Sequence, residues 1–204
     1  MAGFAAGILN DVLLSFYQQF GAALLTAVLF MYVYMHVKKY GGKETVRAWF
    51  AGFRREKEFR KVFLLAFYTM MILFKTLLCR SIWVNPLSDV LGTWGLYDSK
   101  GQLYLDNIEN LMLFVPFAAL FLWTAGKRVF GERRRSPGRS LAWAAGISFF
   151  VSLGIELLQL FLKLGTFQVS DLFFNTLGGA AGGLLYWGLH RLRMRLGRGG
   201  RKIK

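Results

Sequence analysis

Residues 140–162 read SLAWAAGISFFVSLGIELLQLFL, a run with a single charge, Glu156. An α-helix rises 1.5 Å per residue, so about 20 residues cross a hydrocarbon core of roughly 30 Å. The run is long enough to do so, and it does not alternate as a barrel strand must. Working outward from it, four further apolar stretches appear. Residues 12–37 hold no Lys, Arg, Asp or Glu; residues 62–79 hold one charge, Lys75; residues 111–126 and 172–190 hold none. The stretch at 111–126 is short and needs residues from about Asp106 onward to span. The pattern predicts an all-α, polytopic membrane bundle of five transmembrane helices.

Composition agrees. Of 204 residues 55% are hydrophobic and 18% charged, against about 25% charged in an average soluble domain. Yet Lys and Arg number 26 against 11 Asp and Glu, a formal charge of +15. An oily, strongly basic chain is one whose charge lives in its loops, which excludes a soluble enzyme. The lone cysteine, Cys79, forms no intrachain disulfide and excludes a disulfide-stapled secreted module.

The loops give a direction. Nine Lys/Arg lie in residues 38–61, six in 127–139 and seven from Arg191 on, whereas the first eleven residues hold none, residues 80–110 two and residues 163–171 one. The positive-inside rule then places the N-terminus outside and the C-terminus in the cytoplasm. The first run lacks a basic leader and is too long for a signal sequence, so it reads as a retained span. The organisation expected is a span with a basic amphipathic cytoplasmic segment (1–61), a four-helix transmembrane domain (62–190) and a basic cytoplasmic tail (191–204). Residues 43–60, KETVRAWFAGFRREKEFR, put Val46, Trp49, Phe50 and Phe53 on one helical face among basic residues, which suits a helix lying on the anionic lipids of the inner leaflet. No nucleic-acid motif accompanies these charges, and no nucleic-acid partner is expected. In the last span, residues 178–183 (GGAAGG) form overlapping small-xxx-small pairs that predict close helix packing inside the bundle rather than self-dimerisation.

Polar residues within spans are expensive and are the default functional candidates. Lys75 and Arg80 fall near the outer end of the second span, and Asp106, Asn107, Glu109 and Asn110 at the outer start of the third. Ser152, Glu156 and Gln159 share one stripe in the outer half of the fourth, and Asp171 and Asn175 share one at the start of the fifth. Four spans thus deliver polar groups to one level, predicting an outward-facing polar pocket floored by Glu156. The plainer reading is that Glu156 pairs with Lys75 or Arg80 and the amides tie helices together. Metal and nucleophile templates fail: His36 and His190 lie at the inner ends, and Ser152 has no histidine partner. No metal or cofactor is expected. Glu156 and Asp171 are the candidate acid/base pair. Tyr32, Tyr34, Trp83, Trp94, Tyr97, Tyr104 and Trp123 read as interfacial anchors, Pro116 as a kink, and Asp98-Ser99-Lys100-Gly101 as a tight hairpin turn.

Three ordered segments carry a family resemblance. Asn110-Leu111-Met112-Leu113-Phe114-Val115-Pro116-Phe117 resembles the NLLLFIPFG segment of VanZ-like membrane proteins. Residues 152–160, SLGIELLQL, resemble their SxxIExxQ helix, and residues 166–178, TFQVSDLFFNTLG, their RxFDVDDLxxNTLG loop. Arg80 and Asn85-Pro86 sit where the family shows Arg and an N-P element. The resemblance covers about residues 65–190. Gln168 and Ser170 replace family acids, leaving Asp171 as that loop's carboxylate. It implies a multi-pass protein of a bacterial plasma membrane, linked with low-level resistance to glycopeptides of the teicoplanin type. The pocket is expected to bind, rather than transform, an anionic lipid-linked or amphiphilic ligand such as an envelope precursor or a lipoglycopeptide. Lys75 and Arg80 would meet the anion; Asn110, Ser152, Glu156, Gln159, Asp171 and Asn175 would bond the headgroup. An enzyme acting on an envelope lipid and a purely structural or partner protein are the rival readings.

Overall fold

In the computed structural model the described residues are 2–36, 41–78, 85–95, 97, 101, 104–131 and 136–199. They form six α-helices: α1 (Ala2–His36), α2 (Gly42–Arg55), α3 (Lys57–Leu73), α4 (Asp106–Phe130), α5 (Pro137–Leu162) and α6 (Val169–Gly199), with a single π-helical turn, Phe74–Leu78, continuing α3. Among the described residues there is no β-strand. The protein is all-helical, and the five apolar stretches lie on α1, α3 with its π-turn, α4, α5 and α6. By length and composition, among the described residues, two of these, α4 and α5, are long and apolar enough to cross a membrane.

The chain divides into two compact units, Met1–Ser88 with Leu157–Phe167, and Asp89–Glu156 with Gln168–Lys204. In the first, Ala27, Met31 and Met35 recur every fourth residue on α1 and pack with Phe59 and Phe63 of α3. The short helix α2 adds Trp49, whose ring meets Phe53, Phe59 and Phe63. Glu44 in its first turn and Arg54 and Arg55 in its last complement the helix dipole. Glu56, in extended backbone, ends it and starts α3. The Arg60 guanidinium then donates to the Phe53 and Arg54 carbonyls at 3.2 and 3.1 Å, satisfying acceptors that a helix C-terminus leaves orphaned.

The second unit is built on α6. A side chain at Gly178 or Gly182 would overlap the carbonyl oxygens of Leu111 and Val115 on α4, so both positions must be glycine for the backbones to approach. Gly179 and Gly183 press instead on Ala144 with Ser148, and on Ser140 with Ala144. The order of these contacts fixes the directions. Residues 111 and 115 ascend with 178 and 182, so α4 and α6 are parallel; Ser148 and Ser140 descend against 179 and 183, so α5 is antiparallel. The small-residue run thus packs within the bundle, against two helices at once. Below it Ala118, Leu122, Phe130, Ala144 and Tyr186 close an apolar core. Helix α4 runs through Pro116 without interruption.

Candidate functional site: a buried polar layer at the acidic end of the second unit

The helix directions sort the charges of this unit. The starts of α4 and α6 lie level with the Glu156 end of α5, bringing Asp106, Glu109, Glu156 and Asp171 to one end. Lys127, Arg128, Arg139, Arg191, Arg193 and Arg195 fall at the other.

At the acidic end, the segment entering α6 is the organiser. Glu156, 2% exposed, accepts the backbone N–H of Gln168 at 2.8 Å. This residue immediately precedes α6, so a carboxylate from α5 sits at a helix N-terminus, where donors are orphaned and the dipole favours an anion. The Gln168 side chain reaches the other way, donating to Asp89 at 3.0 Å, and the Val169 N–H donates to the Val90 carbonyl at 2.9 Å. Gly92 closes the turn after Asp89 with φ +69°, and Ser170 packs so closely on its Cα that a side chain there would overlap the hydroxyl.

Deeper in the layer, Asn175 of α6 donates from its amide to Ser152 Oγ of α5 at 2.8 Å. Asn107 of α4 donates to the Thr93 carbonyl at 2.7 Å, and Asn110, one turn on, is buried. Tyr104, two residues before α4, lies near the carboxylate of Asp106. Its ionisation is pushed well above the ordinary range near 10, first by burial and then by the carboxylates of Asp106, Asp171 and Asp89. After these bonds are made, Asn107 Oδ1, Asn175 Oδ1, Ser148 Oγ and Ser170 Oγ remain buried without a hydrogen-bond partner among the described residues. A buried acceptor left unmatched costs about 1–3 kcal/mol.

The expected site residues therefore separate. Ser152, Glu156, Asp171, Asn175 and Asn110 share this unit. Lys75 and Gln159 belong to the first unit, where Lys75 lies in the π-turn. There the Gln159 amide donates to the Thr76 carbonyl at 2.7 Å, and Thr76 Oγ donates back to Ile72 at 2.8 Å. Arg80, Cys79, Trp83 and the turn residues 98–100 lie outside the described residues. Sequence reasoning missed Asp89, which shares no periodicity with the spans. Of the aromatic residues read as interfacial anchors, Tyr104 lies near the acidic cluster, and Trp94, half exposed, packs its ring near Phe173 and Phe174. Among the described residues no group of three or more His, Cys, Asp or Glu could hold a metal ion. The layer's chemistry is that of acceptors and carboxylates, suited to a ligand presenting hydroxyl, amide or amine donors.

Fold and site together define an all-helical protein with small-residue helix contacts and a polar layer organised by an α5 carboxylate at the entry to α6. The chain belongs to the VanZ/LLP1 family, whose model matches residues 22–192. The match begins upstream of the motif-bearing stretch, so it takes in the second, C-terminal part of α1 from residue 22 on and all of α2. No curated protein and no solved structure matches the chain.

Proposed function

We propose that this VanZ-like protein is a five-span component of a bacterial plasma membrane, N-terminus out, whose polar layer binds the headgroup of a lipid-linked or amphiphilic ligand of the cell envelope. The observation that carries the reading is the set of acceptors left over in the layer, Asn107 Oδ1 and Asn175 Oδ1 above all, beside the buried carboxylates Glu156 and Asp171. Helix locking alone has no use for them. The alternation of acidic and basic helix ends supports an outward-facing site, because basic ends belong on the cytoplasmic side. Low-level resistance to teicoplanin-type glycopeptides is the phenotype such binding would produce.

The test is native mass spectrometry of the full chain purified in mild detergent, wild type beside Asn175→Leu, Glu156→Gln and Arg80→Ala, each shown by size exclusion to be folded at the assay temperature. An envelope lipid retained by wild type and lost in the variants supports the reading. Equal retention in all four, with unchanged glycopeptide resistance, removes the polar layer from it. A second reading, in which Glu156 or Asp171 acts as general base on an envelope lipid, is favoured by two buried carboxylates flanking one loop. It requires a lipid profile that changes with expression and reverts in Glu156→Gln.

A further inference from the structure

Helix α2 buries one apolar face in the fold and leaves an apolar stripe beside it largely exposed. Thr45 and Gly52 are buried, and Ala48 and Trp49 pack on the α1–α3 cluster. Gly52 is pressed by the Phe59 ring, 3.2 Å from where a Cβ would stand. Flanking that face Val46, Phe50 and Phe53, spaced four and three, form a second stripe; Val46 is 51% exposed and Phe50 59%, while Phe53, at its inner edge, also lays its ring against Trp49 and Phe63. Lys43, Arg47 and Arg54, spaced four and seven, run beside it as an exposed basic stripe. The helix holds four basic residues against one acid, Glu44. An aromatic stripe bordered on one side by cations, on a helix clamped at its back by Trp49, Gly52 and the Arg60 cap, matches a lipid–water boundary. Aromatic rings enter the acyl region there while cations stay level with phosphate.

We propose that α2 is an anionic-lipid anchor: Val46 and Phe50 enter the cytoplasmic leaflet with the exposed edge of Phe53 beside them, and Lys43, Arg47 and Arg54 hold the phosphates of anionic phospholipids. Charge complementarity selects this occupant, since each Lys or Arg near an anionic surface strengthens binding by about fivefold. The clamp on α1 and α3 makes α2 a fixed part of the first unit rather than a loose tether. The placement in the inner leaflet rests on the proposed five-span topology.

The full chain is tested in nanodiscs of phosphatidylcholine alone and with about one-third phosphatidylglycerol. On a Cys79→Ser background, spin labels go to Phe50→Cys and to Leu29→Cys, a 55% exposed position of α1. The expected result is a label at 50 that relaxes with oxygen and is shielded from a water-soluble nickel chelate, about 5–10 Å below the phosphates, with the label at 29 deeper. Native mass spectrometry should show phosphatidylglycerol retained over phosphatidylcholine, and Lys43→Gln/Arg47→Gln/Arg54→Gln should lose that preference, roughly fivefold per charge. A nickel-accessible label at 50 with the label at 29 in lipid overturns the anchor, assigns the stripe to a cytosolic protein and leaves the topology standing. A nickel-accessible label at 29 defeats the topology and the anchor together. A triple variant that still enriches phosphatidylglycerol as wild type does also overturns the anchor.

Discussion

Replacing Gly183 by alanine adds one methyl group to α6, and the structure says what it meets. The new Cβ would lie 2.5 Å from the Ser140 carbonyl oxygen and 2.6 Å from the Ala144 Cβ, where ordinary contact begins near 3.4 Å. The shortfall of about 0.9 Å falls on backbone and on a methyl with no rotamer to escape into, so α5 and α6 must separate. Overpacking of this kind costs about 1–3 kcal/mol. In a bilayer the loss is felt fully, because helix association there depends on close van der Waals packing rather than on water expulsion. At about 2–4 °C per kcal/mol for a chain of this size, Gly183→Ala should lower the melting temperature in mild detergent by about 2–12 °C. Gly146 on α5 has no neighbour within 4 Å among the described residues. There the same substitution removes only backbone freedom and should be neutral or stabilising, by up to about 1 kcal/mol. Fluorescence-detected size-exclusion after heating measures both. The reasoning is refuted if Gly183→Ala melts with wild type, or if Gly146→Ala loses as much. A Gly183→Ala chain that changes oligomeric state but keeps its melting temperature would move the GGAAGG run to a dimer interface.

Other consequences of the geometry can be measured alongside. Asn175→Leu removes the α5–α6 hydrogen bond and should destabilise by about 0.6–1.7 kcal/mol, the range for such bonds in membranes, whereas Ser170→Ala deletes a buried hydroxyl without a described partner and should be neutral or stabilising by thermal melting. Gln168→Glu exchanges a donor to Asp89 for a like charge. Stability should fall slightly at neutral pH, by under about 1 kcal/mol at this exposed pair. It should return as pH drops through the carboxylate range, because repulsion raises those pKa values. Tyr104 has its ionisation raised by burial and by Asp106, Asp171 and Asp89. Above about pH 10 the unfolded chain loses this proton and the folded chain keeps it, so stability falls as pH rises. Tyr104→Phe should flatten that alkaline fall in a melting-temperature series.

The amino-acid sequence by itself determined that this chain is helical, where its apolar runs lie and that α6 packs closely, because composition and 3.6-residue periodicity are local properties. It also marked Ser152, Glu156, Asp171 and Asn175 as buried polar groups. What it left open was what stands opposite each of them. Ser152, Glu156 and Gln159 share one helical stripe, yet their partners are an α6 amide, a loop N–H and the carbonyl of Thr76 in a π-turn. Two of these are backbone groups, which no side-chain motif records. Gly178 and Gly182 look like Gly179 and Gly183 in sequence, but the first pair rests on α4 and the second on α5. A periodicity specifies a face, and only the folded chain supplies the surface that face meets.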